Sequence, residues 1–196
     1  MGVEYELKYA ATPEIQATLE LMLRRPKTRR METTYYDTPD GALSARRIML
    51  RQRMENDICI CTVKVPLPDG SRGEWECRSK DLNRGIKKLC QLGAPTELLE
   101  LTAQGLQRVC GARFVRRFGN ITVEGTTIEL ALDRGELLGG DKRLPLCEVE
   151  LELKEGDVAV VDGCGAFLSQ AFKMAPEERS KFRRALALAR GEEDGL

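Results

Sequence analysis

The sequence contains no histidine. That excludes Ser-His-Asp and Cys-His nucleophilic machinery and every His-ligated metal centre. Any catalysis has to run on carboxylates, lysine, arginine and a metal. An excess of one charge is also lacking. With 31 basic and 31 acidic residues the formal net charge is zero, which argues against a generally basic nucleic-acid binder. No apolar run approaches the ~20 residues of a membrane helix. Charges from Glu4 onward do not fit a signal peptide. The seven cysteines (Cys59, Cys61, Cys77, Cys90, Cys110, Cys147 and Cys164) have no framework spacing, and their number is odd. Reduced thiols and a cytoplasmic location are therefore expected, with no membrane association. Cys59-x-Cys61 has no matching second ligand pair for zinc.

What the chain does have is 196 residues, 42% apolar and 32% charged. This is enough for one domain with its own core. No repeat or linker divides it, so residues 1–190 read as one domain and residues 191–196 as a frayed tail. Its dominant pattern is two-faced alternation. In Val3-Glu4-Tyr5-Glu6-Leu7-Lys8-Tyr9 the charged residues share one face of a strand and the apolar residues the other. The pattern returns at 48–54 (Arg51, Arg53), 58–65 (Thr62, Lys64), 74–78 (Glu74, Glu76, Arg78) and 147–154 (Glu148, Glu150, Glu152, Lys154). Asn56-Asp57 supplies a hairpin turn between the first two of these. Met31 to Asp37, 112–118, 120–124 and 126–133 complete the strands, with Asp133-Arg134-Gly135 breaking or ending the last. Helical spacing predicts helices over 13–24, from Asp81 onward, over 157–172 and over 176–190. The basic residues 25–30 read as a loop.

Such strands fit an open sheet with a wet charged face. They also fit a closed antiparallel barrel lined by charge, in which about eight strands leave room for one small ligand. An enclosed lining is costly unless each charge meets an opposite charge or a metal. Arg51, Arg53, Lys64 and Arg116 would attract a polyanion, and clustered glutamates would hold Mg2+ or Mn2+. Basic groups and metal-binding carboxylates in one cavity point to a chain of phosphates.

The ordered series Glu4-x-Glu6-x-Lys8, Tyr35-Tyr36-Asp37-Thr38-Pro39, Leu50-Arg51-x-Arg53, Thr62-Val63-Lys64, Glu74-x-Glu76, Leu132-Asp133-x-Gly135, Glu148-x-Glu150-x-Glu152 and Ser180-Lys181 resembles the CYTH family, the triphosphate tunnel metalloenzymes. It is most similar to the family's bacterial inorganic triphosphatases. The resemblance implies an α+β fold, a closed eight-stranded antiparallel β-barrel forming a tunnel, with a charged interior and helices packed outside. It implies metal-dependent hydrolysis of inorganic triphosphate or polyphosphate, with class IV adenylate cyclase, a thiamine or nucleoside triphosphatase, and a non-catalytic polyphosphate-binding module as alternatives. Glu4, Glu6 and Glu150 would hold a first metal, and Glu148 would lie beside a second metal and the attacking water. Lys8, Arg51, Arg53, Lys64, Arg116 and Lys181 would grip phosphates, and Glu148, Lys8 and Arg53 would act in the reaction. Glu74, Glu76, Asp133 and Glu152 would stand behind them. Among Arg113, Arg116 and Arg117, motif position selects Arg116. Oligomeric state is left open, a homodimer included.

Overall fold

The computed structural model describes residues 5–67 and 72–192. Glu4 lies outside the described residues. Eight strands, β1 (Glu6–Ala10), β2 (Lys27–Asp37), β3 (Met49–Glu55), β4 (Ile58–Pro66), β5 (Arg72–Arg78), β6 (Gln107–Val123), β7 (Thr126–Gly139) and β8 (Lys142–Glu155), form one antiparallel sheet. Its order is β1-β8-β7-β6-β2-β3-β4-β5. The helices are α1 (Pro13–Glu20), α2 (Ala42–Ala45), α3 (Leu82–Gln91), α4 (Glu97–Leu101), α5 (Val158–Phe172) and α6 (Lys181–Arg190).

Register shows how the alternation becomes two faces. Lys8 pairs with Glu150, Ala131 with Glu150, Asp133 with Glu148, and Arg116 with Asp133. Arg51 pairs with Thr62, Thr62 with Glu76, and Lys64 with Glu74. Directly opposed residues share a face, so the charged alternates of all these strands lie on one side. Two apolar patches on the other side are covered by helices. Leu130, Leu132, Val149 and Leu151 pack under α1 and α5, through Leu19, Val161 and Leu168. Leu50, Cys61 and Val63 pack under α3 and α4, through Ile86, Leu89 and Leu98.

The sheet curls into a half-barrel. The expected closure is not made among the described residues, because the ladder runs from β1 to β5 with no pairing between those two edges. α6 lies on the charged, inner face instead of outside. Phe182, Ala185 and Leu186 pack there on Tyr35, Phe114, Leu137 and Leu146, with the Tyr35 and Phe182 rings 4.9 Å apart. The helix thus supplies packing that a facing wall of strand would otherwise provide.

Three local expectations change. Residues 27–30 are strand, because β2 pairs there with β6, from Lys27 opposite Phe118 to Arg30 opposite Val115. The segments 112–118 and 120–124 are one strand, β6. β7 runs on past Gly135 to Gly139, and Gly135 is needed there because a Cβ would stand 2.1 Å from the Arg113 carbonyl oxygen. The helices at both ends are also shorter than their apolar spacing suggests, α1 stopping at Glu20 and α6 starting at Lys181.

Gly139 fixes how closely α6 can dock. A Cβ there would meet Ala189 N at 2.4 Å and Ala185 O at 2.9 Å, both backbone atoms that cannot swing away. Gly139→Ala is expected to cost about 1–3 kcal/mol by overpacking. Gly163→Ala, in α5 where a Cβ meets nothing within 4 Å, is expected to stabilise by about 0.5–1 kcal/mol. Thermal denaturation of the two variants checks both signs; equal midpoints would refute the docking argument.

Candidate active site

β7 and β8 place Asp133, Glu148 and Glu150 on the inner face, and all three are buried. One carboxylate oxygen from each lies within 4.8 Å of the others. Such a cluster cannot stay ionised without cations, and three arrive from two elements. Lys181 Nζ sits 2.9 Å from Asp133 Oδ2, 2.6 Å from Glu148 Oε2 and 2.6 Å from Glu150 Oε1. Arg116 of β6 forks onto Asp133 with two bonds of 2.7 Å and reaches Glu150 Oε2 at 2.5 Å. Arg184 pairs with Glu148.

Lys181 and Arg184 are one helical turn apart on α6, whose N-cap is Ser180, its hydroxyl accepting from Arg183 N. Cations in a first helical turn oppose the helix dipole. Their position there is offset by the carboxylates they face. Burial alone would push the Glu150 carboxyl up, but Lys181 and Arg116 outweigh it and hold it well below its usual value. Burial likewise disfavours the charged Lys181, yet Glu150, Asp133 and Glu148 raise it well above the ordinary ammonium value.

A second charged group lies on β3, β4 and β5. Arg51 reaches Glu76 at 3.5 Å and Glu74 at 3.8 Å, and Lys64 meets Glu74 at 2.8 Å. Arg53 contacts Glu55 at 2.5 Å and Glu76 at 3.8 Å. Thr62 donates to Glu76 at 2.8 Å. Burial and the neighbouring Arg51 charge lower the basicity of Arg53, against Glu55 and Glu76. The buried Nε atoms of both Arg51 and Arg53 have no hydrogen-bond partner. Both guanidiniums meet carboxylates through Nη2 and leave a buried Nε donor unused.

The other predicted residues fall around these groups. Lys8 is 3.5 Å from Glu6, and Glu6 stands opposite Glu152, outside the buried three-acid cluster. Glu152 pairs with Lys154 at 2.6 Å. Arg116 points inward. Arg117 turns to Glu20 on the outer side, and Arg113 to Glu32. Sequence reasoning missed Arg184, Glu55 and Arg29, which pairs with Glu55 at 3.0 Å. Arg184 carried a usable signal, since it lies three residues after Lys181 on one helix. Arg29 was hidden by its reading as loop.

Eight antiparallel strands curled into a half-barrel with an acid-and-base-lined inner face define the class of fold. Residues 2–186 match the CYTH domain, and the chain belongs to that family. The inorganic triphosphatase of Haemophilus influenzae is 28% identical in a 162-residue alignment that covers 79% of this chain and 46% of that protein. The chain therefore spans about half the length of that curated relative. A Hippeastrum protein, described as a putative adenylyl cyclase with a dominant triphosphatase activity, superposes with a TM-score of 0.59 at 20% identity, covering 96% of each chain. A Pyrococcus horikoshii protein gives a TM-score of 0.59 at 22% identity, over 93% of this chain and 98% of the other. At these identities the two structures share the fold with this chain.

Proposed function

We propose that this chain hydrolyses inorganic triphosphate to pyrophosphate and phosphate, with Mg2+ or Mn2+, on the inner face of the half-barrel and in the cytoplasm. The observation that carries this reading is the pair of buried, partnerless Nε donors on Arg51 and Arg53, on the same face as a buried three-carboxylate cluster. One group calls for oxyanions and the other suits a cation. A ligand that is a polyanion complexed to a divalent metal meets both demands.

The carboxylates fit a divalent cation. Oxygens within 4.8 Å of one another can share a hard metal with bonds of about 2.0–2.6 Å. The buried Glu148 Oε2 has no hydrogen bond of acceptable angle, although Lys181 is near. Glu148 and Glu150, with Asp133 beside them, would hold the ion, and Glu4 and Glu6 would extend the set toward the edge strand. Held by these carboxylates, a divalent ion would offset the charge of the phosphate oxygens.

In the resting chain the acids and bases neutralise one another. Binding is then an exchange, in which Lys181 and Arg116 turn from carboxylates to phosphates. Arg51, Arg53, Lys64 and Lys8 hold the chain in line, which supplies much of the rate enhancement for phosphoryl transfer. Glu148 accepts the proton of the water attacking the terminal phosphorus, and the bond to the bridging oxygen breaks to release pyrophosphate.

Incubation with triphosphate, ATP and thiamine triphosphate, each with Mg2+, Mn2+ or EDTA, tests the reading. Expected are equal amounts of phosphate and pyrophosphate from triphosphate, none with EDTA, and slower turnover of the others. Cyclic AMP and pyrophosphate from ATP would replace it with a cyclase. Tight triphosphate binding without turnover would leave a binding module. Arg53→Ala is expected to lower kcat/KM about 10²-fold, and an unchanged value would count against the assigned grip.

A further inference from the structure

The geometry points to Gln16 as a positioning residue for the acidic cluster, acting through the sheet from its opposite face. Gln16 lies in the second turn of α1, on the outer side, and is 5% exposed. Its amide Nε2 donates to the main-chain carbonyls of Asp133 at 2.9 Å and Glu148 at 2.8 Å. These two residues are direct partners across β7 and β8, and their side chains pass to the inner face, where Lys181 and the candidate cation site lie. Both donors of one buried amide are thus committed to the backbone beneath two of the three clustered acids.

The acceptor side is fixed as well. Gln16 Oε1 receives Arg134 Nε at 3.3 Å, which sets the amide in the orientation that turns its NH2 toward the carbonyls. Arg134 follows Asp133 in the chain and points outward, so the amide is tied at both ends to the same short stretch of sheet. Beside Gln16, between α1 and the sheet, is a cavity of about 200 Å³ lined by Ala17, Glu20, Val115, Arg117, Leu132 and Arg134. With room on that side, the amide is a polar tie from α1 to the Asp133 and Glu148 carbonyls, beside the packing of Leu19 on Leu132 and Val149.

The consequence is geometric. Asp133 and Glu148 must keep their spacing while Lys181 leaves them and a cation takes its place. Fixing the two carbonyls from behind holds the carboxylate roots during that exchange. Groups that orient metal ligands from outside the coordination sphere are worth about 10–100-fold in affinity or activity when removed. The inference rests on the proposed use of the cluster as a cation site.

The test compares Gln16→Met, which keeps volume and loses the amide, with Ile15→Ala, which loosens the same helix without touching the carbonyls. Mn2+ binding is measured by calorimetry on the protein alone, and kcat and KM for triphosphate separately. For Gln16→Met a roughly tenfold weaker Mn2+ affinity and a roughly tenfold lower kcat are expected, with KM changed less than about twofold, because Arg51, Arg53 and Lys64 are untouched. Ile15→Ala is expected to lower the thermal midpoint and leave all three unchanged. If Gln16→Met only lowers the midpoint, as Ile15→Ala does, the residue is structural and the inference falls alone. If the wild-type chain neither binds Mn2+ nor turns over triphosphate, the functional reading falls and takes this one with it.

Discussion

Glu150→Gln is expected to lower metal-dependent phosphate release from triphosphate by about 10³-fold and to destabilise the chain by about 3–5 kcal/mol. The substitution keeps shape and removes charge. Lys181 and Arg116, which meet Glu150 at 2.6 and 2.5 Å, would remain buried with one anion fewer. Loss of the anion from a buried pair leaves the full desolvation cost of the partner uncompensated. The pH dependence follows from the shifts. Glu150 ionises below its ordinary value of 4.5, so its contribution is fully present above that pH and is lost only as pH falls through a much lower value. Lys181 is raised above its ordinary 10.5, so its contribution is full below that pH and fades as pH rises through a still higher one. The gap in thermal midpoint between wild type and Glu150→Gln is therefore expected to stay constant from about pH 5 to about pH 9. A gap that closes before pH falls to about 5 would show that Glu150 is not held as an ion pair.

The division between what was readable in the chain and what was not follows the range of the interactions. Period-two alternation is local, so Glu148, Glu150 and Glu152, Arg51 and Arg53, and Glu74 and Glu76 declared a common face without any knowledge of partners. Whether that face turned toward a cavity or water depended on the order of strands and the curl of the sheet, which no window of sequence contains. The helix α6 shows the same limit. Phe182, Ala185 and Leu186 mark an amphipathic helix, but nothing local says that it lies on the charged face, bringing Lys181 and Arg184 onto acids over thirty residues away in sequence. β2 was misread at its start because Lys27, Arg29 and Arg30 lack apolar alternates; the strand is held there by the ladder to β6. Gln16 was invisible for a related reason. A glutamine between Ile15 and Leu19 looks like a surface residue until Asp133 and Glu148 arrive beneath it.

Lys181→Met should reverse the pH slope of this site and raise its response to metal. Without the ammonium, Asp133, Glu148 and Glu150 face Arg116 and Arg184 alone, three acids against two bases. The surplus carboxyl is then buried beside like charges, which raises its pKa. Its penalty is greatest at neutral pH and is relieved as pH falls through that raised value, so the variant gains on the wild type in mild acid. A divalent cation can relieve the same penalty, because Lys181 Nζ occupies the point common to the three carboxylates. Mn2+ at about 100 times its dissociation constant would add about 2.7 kcal/mol to whichever form binds it, and the variant is expected to reach that gain at lower Mn2+ than the wild type, which must first expel an ammonium. Turnover of triphosphate should nonetheless fall by about 10²–10³-fold, since the lysine is also proposed to grip phosphate. Thermal scans of both forms across Mn2+ concentrations, beside steady-state rates, separate the two effects. Equal Mn2+ stabilisation of both forms would move the cation site away from Lys181, and tighter Mn2+ binding with undiminished turnover would leave the lysine as a stand-in for the metal and nothing more.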